Sequence, residues 1–289
     1  MHEEEGGGLI HVAISAETLF SVGPFQVTNS MVGAVLASLI LLAAAWYVAR
    51  NASLIPGRMQ TLIELPIEWM ADIVAGSSSR WRGYVSLVVA LFLMILVANW
   101  LGLLPGVGTI GLVHEGEEAI TPFVRPASAD LNFTLGLAIV SFVVFVWWGV
   151  KIHGPLGYLK EIAGEPRYMA PLMFPIHLIS ELSRVISLSM RLFGNVFAGE
   201  VLLATMLALT TAAVAVIPLA FFVPAIFLSL ELLFGLVQAM VFALLAMTYI
   251  TLAIAEHNEG SHGDEHDPSR EHGASAPSGA AASSTSAPA

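Results

Sequence analysis

From Gly83 to Val113 the chain carries not one charged residue. A bilayer core about 30 Å thick needs roughly 20 consecutive apolar helical residues to cross it, and this run exceeds that length. Comparable windows recur. Ser30 to Ala49 is the first, Gly83 to Pro105 the second, and Leu131 to Val150 the third, bounded by Asp130 and Lys151. Two longer apolar stretches follow, Pro171 to Thr210 and Pro218 to Ala255. At about 1.5 Å per residue each would measure nearly 60 Å as one helix, about twice the hydrocarbon thickness, so each must tilt strongly, kink or lie partly across the membrane. Pro175, Pro218 and Pro224 stand near the starts of these stretches, and Thr210 to Ile217 reads as the turn between them. The expected fold is an all-α integral membrane protein with five transmembrane spans.

Composition agrees: only 11% of the residues are charged and mean hydropathy is +0.80, whereas about a quarter of a soluble domain is charged. The acids that make the formal net charge -11 cluster at the two ends, so nucleic acid is excluded as a partner and membrane lipid is expected. There is no cysteine, hence no disulfide, no thiolate metal site and no thiol nucleophile. The first residues, Met1 to Gly8, are acidic and glycine-rich without Lys or Arg, the wrong start for a secretory signal, so the first span is expected to stay.

Basic residues set the expected orientation. Arg50, Arg58, Arg80 and Arg82 follow the first span, and Lys151, Lys160 and Arg167 follow the third, which places those loops in the cytoplasm. The opposite loop, Gly106 to Asp130, holds Arg125 alone beside Glu115, Glu117 and Glu118. The N-terminal segment 1–29 should therefore face outward, residues 30–256 form the membrane domain, and five spans put the C-terminus inside. Arg58 to Gly76 mixes apolar residues with Glu64, Glu68 and Asp72 and reads as an interfacial amphipathic helix. The tail 257–289, rich in Gly, Ser, Ala and Pro, should be disordered and cytoplasmic, and its irregularly spaced His257, His262, His266 and His272 favour solvation over metal binding.

Between Ala170 and Ala255 the charged residues are Glu181, Arg184, Arg191, Glu200 and Glu231. Each costs about 2.5 to 3.5 kcal/mol near a helix centre, so each implies a partner, a cavity or a pathway. Glu181 and Arg184 are spaced i,i+3 and can pair with one another. At about 100° per residue, Arg184 and Arg191 share a face with Ser180, Ser187 and Asn195 close by, while Glu200 points to the other side. On the last helix Glu231, Gln238 and Tyr249 fall near one face; interhelical hydrogen bonding as packing glue is the simpler use of Gln238 and Tyr249.

The run Ser187-Leu-Ser-Met-Arg-Leu-Phe-Gly-Asn-Val-Phe-Ala-Gly-Glu200 resembles the SLxxRLFGNxxAGE signature of the subunit a family of F-type ATP synthases. Asn99-Trp-Leu-Gly-Leu-Leu-Pro105, Ser128-Ala-Asp-Leu-Asn-Phe-Thr134, and Gln238-Ala followed by Tyr249 support the likeness, which spans roughly residues 30–257. The resemblance implies a stator subunit of the membrane sector. Its last two long, tilted helices form a hairpin against a ring of c subunits, and protons cross by two offset half-channels that meet a carboxylate on the ring. It implies that Arg191 is the essential arginine facing the ring, that Asn195, Glu200, Glu231 and Gln238 line the half-channel open to the outside, and that Ser187 lies near the path to the cytoplasm. Tyr249 joins this translocation set. His177 stands where relatives often carry a glutamate, which leaves His177 and Glu181 as alternative linings of the inner exit, and Gly102 stands where some carry an aspartate.

A guanidinium stays protonated in proteins, so at Arg191 it would block a direct leak and favour the ionised form of a passing carboxylate. The resemblance further implies a c-ring on the Arg191 face, b-type peripheral stalk subunits, the rest of the F1F0 complex, and residence in the cell inner membrane with proton flow coupled to ATP synthesis. With no phosphate-binding glycine loop, HExxH or GxSxG, the chain is not expected to be catalytic alone, nor to hold a cofactor or metal. Three alternatives stay open: a Na+-translocating version of the same subunit, an unrelated polytopic transporter using Arg191 and Glu200 as substrate ligands, and an intramembrane enzyme using His177 or the acids.

Overall fold

The computed structural model describes residues 16–23, 25–53, 57–77, 81–104, 107, 111–113, 120–163, 170–212 and 217–255. These fall within the unit Met1–Ile254 except for Ala255. The tail 257–289 lies outside the described residues, as does the acidic start Met1 to Gly8.

Five helices are long and apolar enough to cross a membrane. Helix α1, Asn29–Asn51, starts at Thr28, whose hydroxyl accepts a hydrogen bond from the Met31 amide, and leaves Leu39, Leu42 and Trp46 exposed, as a lipid-facing helix should. Helix α2, Arg58–Ala75, is the expected amphipathic segment: Met70 and Val74 are buried, while Glu68 and Asp72 face out. Helix α3, Val85–Gly102, is the most enclosed of the five spans. Helix α4 runs from Leu131 to Ala163, α5 from Ala170 to Ala212 and α6 from Ile217 to Ala255. At about 1.5 Å per residue α5 extends roughly 65 Å, so its length alone demands tilt or curvature in a membrane.

Two features differ from the sequence reading. The third helix continues past Val150 to Ala163, broken at Gly154 (φ 73°) just before Pro155. Glycine alone accepts that left-handed backbone at no steric cost, so the chain changes direction there while helix resumes. Two short antiparallel hairpins also occur outside the helices. Strand β1, Thr18–Val22, pairs with β2, Phe25–Thr28, around Gly23 (φ 63°), and β3, Gly111–Val113, pairs with β4, Ile120–Pro122.

One buried core joins α2, α3, α4, α5 and α6 through Met70, Phe92, Phe145, Leu192 and Phe242. Helix ends are gathered by the segment before α4. Asp130 accepts the Asn132 amide at 2.9 Å, capping α4, and accepts the Ser30 hydroxyl at 2.5 Å from the start of α1. Gly33 lies against the Arg125 backbone carbonyl and Gly102 against the Pro126 ring, two approaches that a β-carbon would obstruct. At the opposite ends of α3 and α4, Gly83 abuts the Trp148 ring.

Candidate functional site

Helices α5 and α6 meet in antiparallel register. Asn195 donates to the Gln238 side-chain carbonyl at 2.7 Å, Gly199 lies against the Glu231 carboxylate, and Arg184 sits 4.6 Å from the Tyr249 ring centroid. A β-carbon at Gly199 would come within 2.7 Å of a Glu231 oxygen, so a larger residue there would displace that carboxylate from its present place.

Glu231 lines a pocket with Asn99, Pro126, Asn195, Gly235 and Gln238. Glu231 Oε2, Gln238 Nε2 and Asn99 Oδ1 are buried there with no hydrogen-bond partner among the described residues. The other face of the Asn99 amide donates to the Gly235 carbonyl at 3.2 Å, and Trp100 Nε1 donates to the Leu232 carbonyl at 3.2 Å, holding α3 on α6.

Glu200 turns away from α6 toward Arg125. Arg125 Nη2 donates to Oε2 at 2.7 Å and Nε donates to Oε1 at 3.0 Å, the fork geometry in which guanidinium binds carboxylate most strongly. Arg125 is only 6% exposed and Glu200 25%. Sequence reasoning missed Arg125 as a member of the site; a single cation in an acid-rich loop was the available signal, but its partner lies 75 positions away.

A second polar cluster lies further along the helix pair. Arg184 Nη1 donates to both Glu181 oxygens, at 2.9 and 3.1 Å, so these neighbours do pair. Arg184 and Tyr249 line a pocket with Ser141, Phe142 and Leu188. Tyr249 thus stands beside Arg184 rather than with Glu231 and Gln238, although the three share a face by spacing. His177 and Ser187 are exposed on α5. Between the clusters the seam is apolar: Leu188, Leu192, Ala239, Phe242 and Ala243 are all buried.

Arg191 lies level with that apolar seam, but exposed, and has no hydrogen-bond or ion-pair partner among the described residues. Asn195 is exposed on the same helix one turn on. Nearby Ser189 is buried and shares a hydrogen bond of 3.2 Å with Thr134, locking α5 to α4.

Five apolar spans, with one exposed guanidinium between two polar clusters among the described residues, define an all-α membrane protein with polar sites on its apolar helices. The sequence pattern of the ATP synthase A chain family matches residues 31–251. ATP synthase subunit a of Mycobacterium ulcerans (strain Agy99) is 34% identical over 241 residues, covering 81% of this chain and 90% of that one. The subunit a of Desulfotalea psychrophila is 37% identical over 205 residues, 70% and 75% of the two chains, and that of Campylobacter jejuni subsp. doylei 34% identical over 230 residues, 78% and 89%. The chain belongs to the ATP synthase A chain family.

Proposed function

We propose that the chain is the proton-translocating stator subunit of the membrane sector of an F-type ATP synthase, coupling proton flow past a rotating c-ring to ATP synthesis. The observation that carries this reading is Arg191: a guanidinium exposed on an apolar helix, without a partner among the described residues, level with an apolar seam that separates two polar clusters. Leaving that charge unpaired near a helix centre costs about 2.5 to 3.5 kcal/mol, which a passing carboxylate on an adjacent ring would offset. As a permanent cation it cannot relay a proton between the two clusters.

The cluster of Asn99, Asn195, Glu231 and Gln238 is the half-channel open to the outside. Its buried polar atoms need hydrogen-bond partners, and water supplies them, so the pocket is a wet dead end. Glu231 is the proton relay there. Glu200, forked to Arg125, holds α5 to the segment that places Pro126 in the pocket's lining. Arg184, Glu181, Tyr249 and the exposed His177 and Ser187 line the path to the cytoplasm. The exposed stripe of α5 around Arg191 faces the ring, with b-type stalk subunits and the F1 sector completing the complex, and nucleotide chemistry belongs to those partners. Residues 1–29 face outward, 30–256 form the membrane domain, and the tail 257–289 lies in the cytoplasm of a cell whose inner membrane holds the complex.

The decisive experiment is Arg191→Ala in the assembled complex. Proton-driven ATP synthesis should be lost while the chain remains assembled with its partners. Sustained synthesis by that variant would refute the proposal.

A further inference from the structure

At the end of the bundle far from Arg125 and Glu200, cations stack on indole rings. Lys151 Nζ lies 4.7 Å from the Trp147 ring centroid and 4.8 Å from that of Trp148, and the Arg82 guanidinium lies 5.6 Å from the Trp81 centroid. The two groups belong to one cluster. Trp148 packs edge-on against Tyr84 with centroids 6.5 Å apart, and its ring fills the space over Gly83, the residue after Arg82. Arg82 and Lys151 are both exposed, and neither has an ion-pair partner among the described residues.

The break at Gly154 brings an apolar foot beside this cluster. Residues nine apart on a straight helix are separated by about 13 Å, yet Tyr158 folds back until its ring covers Gly149. The turn leaves Leu156 and Leu159 exposed at 74% and 53%, flanking the Tyr158 that packs on Gly149, and Trp147 is 54% exposed.

We infer that Arg82 and Lys151, framed by Trp81, Trp147 and Trp148, bind the phosphodiester headgroup of an anionic phospholipid. Leu156 and Leu159 lie along its acyl chains. Charge complementarity selects this occupant. Arg82 lies over one indole and Lys151 over two, yet both stay exposed with N–H donors unused among the described residues, and a phosphodiester supplies acceptors without donors. Basic pockets at the ends of membrane helices recognise anionic headgroups in this way. A zwitterionic lipid offers the same phosphate with its charge cancelled. This inference is independent of the proton path, since neither cation belongs to either polar cluster around Arg191.

The test uses the assembled complex in phosphatidylcholine vesicles containing a minor fraction of phosphatidylglycerol that carries a photoactivatable headgroup. Crosslinks are mapped on this chain by peptide mass spectrometry, with the matching phosphatidylcholine probe as reference. Labelling should concentrate on peptides holding Trp81 to Tyr84 and Trp147 to Lys160. It should fall roughly fivefold for each cation removed in Arg82→Gln and Lys151→Gln, and be retained in Arg82→Lys and Lys151→Arg, which keep the charge if the glutamine variants assemble poorly. Equal labelling by the phosphatidylcholine probe, or labelling unchanged in the double glutamine variant, would overturn the assignment. So would competition by soluble glycerophosphate as strong as that by unlabelled phosphatidylglycerol, because a free phosphate would then satisfy the site. Loss of stalk subunits from the double glutamine variant with lipid labelling intact would assign the face to a protein partner instead.

Discussion

Glu200 and Glu231 illustrate how far a residue's role departs from its identity. Both are glutamates on apolar helices, and Glu231 lies against Gly199, the residue before Glu200, yet Glu200 is forked to Arg125 while Glu231 keeps a buried oxygen without a partner among the described residues. Under the proposed function, a group that takes up and releases a proton is better served by a free oxygen than by a fork that uses both, so Glu231 is the relay of the two. Replacing Glu231 by Gln should lower passive proton conductance through the membrane sector about tenfold or more, since losing a positioned proton-transfer group is felt on a scale of about 10² to 10⁴. Glu200→Gln should lower it less, because the amide still accepts one hydrogen bond from Arg125. Conductance of vesicles stripped of the F1 sector measures both, and equal effects would remove the distinction. Spacing alone grouped Tyr249 with Glu231 and Gln238; the register of α5 against α6 put it beside Arg184.

Helices were the most legible elements. Apolar length is a local property, so the bounds of α1, α3, α5 and α6 followed closely from where charges and prolines stop a window. The continuation of α4 was not legible in this way, because Lys151 reads as a span's end when it is in fact stacked on two tryptophans. The seam between α3 and α6 depends on Gly235, where a β-carbon would sit 3.2 Å from that of Asn99. Gly235→Leu should therefore push α3 from α6, break the bonds from Asn99 and Trp100, and distort the Glu231 pocket. Asn99→Leu alone removes one neutral hydrogen bond, worth about 1 kcal/mol. The expected order, Gly235→Leu well below Asn99→Leu, is read from the thermal unfolding midpoint of the purified complex, and the reverse order would show that the seam is not packed by that glycine.

On the scale of the whole molecule, the segment from Arg125 to Asp130 ties α1, α3, α4 and α5 together through Ser30, Gly33, Gly102 and Glu200. Arg125 is its strongest link. Removing it as Arg125→Ala leaves Glu200 half-enclosed without its counter-charge; a broken buried pair costs roughly 3 to 5 kcal/mol, and partial exposure puts this one toward the lower end. The charge exchange Arg125→Glu with Glu200→Arg should recover part of the loss. Retention of the chain in detergent-extracted complex is the measurement, and an Arg125→Ala complex as stable as the parent would show that the fork contributes nothing to assembly.

From the amino-acid order came the five apolar helices, the amphipathic segment after the first, the family signature around Arg191 and the pairing of Glu181 with Arg184. The apolar spans follow from run length, the signature from its resemblance to a known family, and the amphipathic segment and the ion pair from spacing along a single helix; each is local in the chain. Tertiary structure alone decided that Arg125 belongs to Glu200, that Asn99 faces Gly235, that Thr18–Val22 pairs with Phe25–Thr28 and that Tyr249 stacks under Arg184. A side chain's partner across helices is chosen by their register and by the few glycines that let backbones close in, and neither is written in the periodicity of either strand of sequence taken separately.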